Sequence, residues 1–154
     1  MHNLVLMIHI ASAIVWVGAS FIFSVGVFPS LAQIPNERMI VRTTIRIMNR
    51  YLNVALFFSL TLILSATFLV YQNYEIYKLD PILKTILMTK GFIWVYMSAS
   101  YFYSKYKVRV AKSTCYHGDS LKAVDILKVI ANYVFVINFI LGLVAIYFGI
   151  MLRG

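Results

Sequence analysis

Apolar residues run almost unbroken through four stretches of this chain, from about Leu4 to Phe28, Tyr51 to Tyr71, Ile82 to Tyr103 and Ile126 to Leu152, with short polar segments between them. As a helix rising about 1.5 Å per residue, each is long enough to cross a hydrocarbon layer of roughly 30 Å. Lipid offers no partner to an open backbone N–H or C=O, so a span must satisfy its own, and none of the four shows the alternation of a barrel strand. The pattern predicts an all-α fold, a single four-transmembrane-helix domain over residues 1–154. Pro29 and Pro35 punctuate the end of the first span, and Pro81 fits the first turn of the third with Asp80 as its cap. The segment from Cys115 to Asp125, with His117, Gly118, Asp119 and Ser120, reads as a turn before a fresh helix near Leu121.

Composition agrees with the pattern. Hydrophobic residues make up 62% of the chain and charged residues 12%, with a mean hydropathy of +0.84, outside the range of a soluble domain. No basic segment precedes the first apolar run, which is also too long for a signal-peptide core, so the N-terminus reads as a retained span with Met1 in place. The single cysteine, Cys115, excludes a disulfide or a cysteine-based metal site within one chain.

Charge adds an orientation. Of the net +9, Arg38, Arg42, Arg46 and Arg50 fall between spans one and two, and Lys105, Lys107, Arg109, Lys112 and Lys122 between spans three and four. Both segments belong in the cytoplasm by the positive-inside rule, which puts the N- and C-termini on the extracytoplasmic side of an inner, plasma membrane. Arg42, Arg46 and Arg50 recur every four residues among isoleucines and valines, a spacing open to a helix that extends span two into the interface, but they read first as plain determinants of topology. The basic balance (pI ≈ 9.8) is explained by contact with lipid headgroups rather than nucleic acid, since it is divided between two membrane-facing loops.

Helices in lipid need small residues and polar contacts to associate. Gly18 and Gly26 in span one, and Asn138, Gly142, Ala145 and Gly149 in span four, mark the faces expected to be buried.

Two ionisable side chains, His9 and Lys90, lie inside spans rather than at their ends, where a charge is expensive. At helical spacing His9 shares its face with Ser12, Ala13, Trp16 and Ser20, and Lys90 shares its face with Trp94, Ser98 and Tyr101. Spans one and three run in the same direction, so the two groups reach similar depths and are expected to flank one ligand. Haem b is the leading cofactor, because its iron takes imidazole as an axial ligand and its flat macrocycle fits between helices. His9 is the candidate metal ligand; Lys90 is the candidate catalytic group, as second ligand or as partner of a propionate. Ser12, Trp16, Trp94 and Tyr101 complete the cofactor-binding set. Copper is the alternative, since imidazole and thioethers also suit Cu(I), with Met7 nearest to His9.

The run His9-Ile10-Ala11-Ser12-Ala13-Ile14-Val15-Trp16-Val17-Gly18, followed by Phe28-Pro29-Ser30-Leu31, resembles the first helix of the CopD-type copper-resistance membrane proteins, and Asn138, Gly142 and Arg153 resemble the end of their last helix. The His and Trp spacing with a lysine in the third helix is also similar to the HemJ family of protoporphyrinogen IX oxidases, four-helix haem proteins in which that histidine and lysine are essential. The chain departs from the latter at Phe23-Ser24-Val25, where the family has Leu-Pro-Arg, and at Tyr101, where it has histidine. The resemblance implies a haem-dependent oxidoreductase that oxidises a porphyrinogen or passes electrons to a quinone or a partner subunit. A copper-handling protein, and a cofactor-free structural subunit of a respiratory complex or homo-oligomer, are the other function classes the residues leave open.

Overall fold

The structure, a computed structural model, describes residues 2–152, residue 2 by its backbone alone. The predicted retention of Met1, the terminal Arg153 and the side chain of His2 lie outside the described residues. Every described element is helical: α1 (His2–Ile22), a π turn (Phe23–Val27), α2 (Phe28–Leu31), α3 (Glu37–Gln72), α4 (Tyr74–Leu79), α5 (Pro81–Tyr116), α6 (Ser120–Val129), a second π turn (Ile130–Val134) and α7 (Phe135–Met151).

The boundaries follow from local chemistry. Asn36 accepts from the Met39 N–H at the start of α3, Asp80 from the N–H groups of Ile82 and Leu83 at the start of α5, and Asp119 from Lys122 N–H at the start of α6. Pro81 occupies the first turn of α5, where its missing N–H costs nothing. Gly118, at φ 95°, closes α5 in the left-handed conformation glycine allows.

The first span does not stop at Phe28 but continues to Leu31 through a π turn. Pro29 has no N–H to give the carbonyl four residues back, at Val25, and the widened turn Phe23–Val27 absorbs that lost bond. At the second π turn the Ser24 hydroxyl reaches the Ala131 carbonyl at 2.7 Å, with the Ser20 carbonyl of its own helix 3.0 Å away. The two widened turns are thus joined, and Phe23, Tyr51 and Phe135 pack beside them with ring centroids 4.8 to 5.5 Å apart.

Cross-helix contacts set the direction of each helix. His9 meets Ser65 while Ser20 meets Tyr51; Trp94 meets Ser59 while Lys105 meets Asn53; Ser24 meets Ala131 while Val17 meets Gly142. In each pair of helices one number rises as the other falls, so neighbours are antiparallel and α1 runs alongside α5. α1 packs on α3 and α7, and α5 packs on α3, α6 and α7, leaving α1 and α5 diagonal across the bundle.

Three segments are long and apolar enough to cross a membrane: Asn3–Leu31, Glu37–Gln72 and Ser120–Met151. α5 has the same 36 residues as α3 but is not among them. Lys84, Lys90 and a run of threonines, serines and tyrosines dilute it. The outer surface is apolar along the bundle, with Leu64, Phe92 and Ile150 each more than 60% exposed, which suits lipid contact and not water. α3 and α5, at about 1.5 Å per residue, are each about 54 Å long, well beyond a hydrocarbon thickness. With α6 they build a basic end closed over Val41, Thr44, Met48, Ala111, Ala123 and Leu127, all fully buried.

Candidate functional site

His9 lies two turns into α1, half-buried, with its Nδ1 2.9 Å from Ser65 Oγ on α3. Ser65 has one proton, and its Oγ is 2.7 Å from the Thr61 carbonyl and 3.0 Å from that of Leu62. A carbonyl only accepts, so the serine proton goes to the backbone and Ser65 accepts from His9. For a neutral ring the network therefore places the proton on Nδ1, facing Ser65, and the Leu62 carbonyl is a further backbone acceptor beside the imidazole.

Lys90 is half-buried in α5, near α7: a Cβ placed on Gly149 would lie 3.2 Å from its Nζ. α1 and α5, which carry His9 and Lys90, lie diagonally across the bundle. The amine has no acidic or hydrogen-bonding partner among the described residues. An unpaired ammonium in an apolar bundle is costly.

Several neighbouring polar groups have partners. Trp94 Nε1 donates to the Ser59 carbonyl at 3.3 Å, Ser59 and Ser98 approach with Oγ atoms 3.4 Å apart, and Asn138 donates to Ser100 Oγ at 2.6 Å. Ser12, Trp16 and Tyr101 are buried as their helical faces require. Trp16 and Tyr101 come together deeper in the bundle, around a cavity of about 10 Å³ also lined by Ser59 and Ser98. That space suits one water, not a macrocycle, so it is the His9–Lys90 end, and not this cavity, that offers groups to a cofactor. Gly142 packs so tightly on Val17 that a Cβ there would overlap it, whereas Gly18 and Gly26 have nothing within 4 Å and do not mark a close helix approach. His117 is exposed at the opposite end of the bundle.

The donor set distinguishes the two cofactors. Copper needs several ligands, and no group of three His, Cys, Asp or Glu side chains converges among the described residues; Met7, the nearest thioether in sequence, is 68% exposed. Haem iron needs only one imidazole from the protein and brings its own anionic propionates. His9 offers one imidazole and Lys90 one ammonium. Ser65, which fixes the imidazole, is the residue that the sequence reading missed. Its signal is a serine three residues from Leu62 and six from Ser59, all on the buried face of a greasy helix.

Compared with known protein families, curated proteins and solved structures, the chain matches none of them.

Proposed function

We propose that this chain is a four-span integral membrane protein of the plasma membrane, both termini extracytoplasmic, which binds a b-type haem at its outer end and serves in redox chemistry. The observation that supports it best is the imidazole of His9, held by Ser65 inside the first span, with the ammonium of Lys90 half-buried in α5. α5 is taken as the fourth span because it packs against α3 and α7, with Trp94 reaching Ser59 and Ser100 reaching Asn138.

His9 would hold the haem through its imidazole, Ser65 fixes that ring, and Lys90 would balance the negative charge of the group. When bound, the haem supplies one-electron redox chemistry whose potential the axial imidazole and the dry surroundings set. The protein's own contribution is to bind, orient and keep water out; no intramembrane carboxylate stands ready to take a proton. The oxidation of a porphyrinogen, or transfer to a quinone or partner subunit, is the reaction class proposed. Protein purified after expression with ample haem carries a Soret band that His9→Ala abolishes. A wild-type protein with no Soret band, or a band unchanged in His9→Ala, contradicts the proposal.

A further inference from the structure

Four cations converge on a cavity that the haem reading does not use. It has a volume of about 680 Å³ and opens at the basic end, far from His9. Arg38 and Arg42 from the first turns of α3 form one wall, and Arg109 and Lys112 from the last turns of α5 the other. The floor is apolar: Val41 and Cys115 are buried and Ile45 half-buried, while Tyr116 stands exposed at the rim. No acidic side chain lines the cavity, and none of the four cations has an acidic partner among the described residues.

Membrane topology alone needs positive charge, not convergence. Arg46 and Arg50, exposed on the same helix, supply such charge without lining the cavity. Bringing guanidinium groups from segments some 70 residues apart around one space costs repulsion that an anion would relieve, and planar guanidinium forks match phosphate oxygens two at a time.

Phosphate could come from a lipid headgroup or from a dissolved compound, and distance decides between them. If the membrane reading holds, the apolar runs end near Tyr51 and Tyr103. At about 1.5 Å per residue Arg42 then stands about 13 Å beyond the hydrocarbon edge and Arg109 about 9 Å beyond it. The headgroup layer is only about 5–7 Å deep on each side. The cavity therefore opens past the lipid phosphates into water.

We infer that this cavity is a binding site for a dissolved organic phosphate carrying two or more negative charges, its phosphates held by Arg38, Arg42, Arg109 and Lys112 and its less polar part resting on Val41 and Ile45. The inference uses the bilayer placement but not the haem, so His9→Ala retains the site.

The test is titration of the full chain in phosphatidylcholine nanodiscs with inorganic pyrophosphate. Saturable binding is expected, weakened about tenfold or more in the Arg42→Gln/Arg109→Gln double variant and less than about twofold in Arg46→Gln/Arg50→Gln, which removes the same charge outside the cavity. Equal weakening in both variants overturns the site, as does absence of saturable binding. Binding of phosphatidylglycerol from anionic nanodiscs without any pyrophosphate binding overturns the dissolved source in favour of a headgroup. A measurement on the unaltered protein covers a double variant that fails to fold: pyrophosphate should slow maleimide labelling of Cys115, on the cavity floor, about fivefold or more, and an unchanged labelling rate overturns the proposal.

Discussion

Ser65 gives His9 a defined tautomer, and that is where the residue scale bears on function. Ser65→Ala leaves Nδ1–H without its acceptor, so haem affinity should fall about tenfold while helix content in circular dichroism is unchanged. A Soret titration identical to the wild type would remove Ser65 from the site. Two other positions test packing. Gly142→Ala forces a methyl group into Val17 and should lower stability by about 1–3 kcal/mol in detergent, with Val17→Ala restoring part of the loss. Thr44, fully buried at the basic end, has a hydroxyl oxygen with no partner among the described residues. Thr44→Val keeps the shape and removes the orphan, so thermal unfolding should show no loss, and a gain of up to about 1 kcal/mol. His9 and Lys90 were legible in the sequence because each breaks an apolar run. Ser65 was not, because a serine inside a span is common and its value depends on which helix it meets.

Helices carry a second layer that the hydrophobic pattern could not reveal. The four apolar stretches foretold long helices and the caps at Asp80 and Pro81, but a π turn leaves no mark on hydropathy. Pro29 announces a break and does not say that the helix will widen and continue. Ser24 looked like a small polar residue; only the neighbouring helix shows that it takes the Ala131 carbonyl. Ser24→Ala should cost about 1 kcal/mol of stability, measured by unfolding in mild detergent. A variant as stable as the wild type would mean that this hydrogen bond contributes nothing to stability. The glycines divide the same way. Gly142 in α7 is a close-packing position, while Gly18 and Gly26 face open space, because helical spacing alone does not say which face a neighbour will cover.

Across the whole molecule, the antiparallel order of helices puts the basic segments together at one end and the His9–Lys90 pair toward the other. The sequence anticipated this division through its arginines and lysines. It could not anticipate that the basic ends of α3 and α5 would together line a cavity, since that depends on their pairing. The proposed topology predicts that reporters fused at either terminus are active only on the extracytoplasmic side; termini on opposite sides would mean an odd number of spans, and both in the cytoplasm a reversed orientation. The central claim is that His9 and Lys90 serve one guest. Haem affinity measured by Soret titration in wild type, His9→Ala, Lys90→Ala and the double variant tests it directly. The account predicts that each single change weakens binding about tenfold or more, and that the double variant loses less than the two combined. A Lys90→Ala protein that binds haem as tightly as the wild type would contradict it.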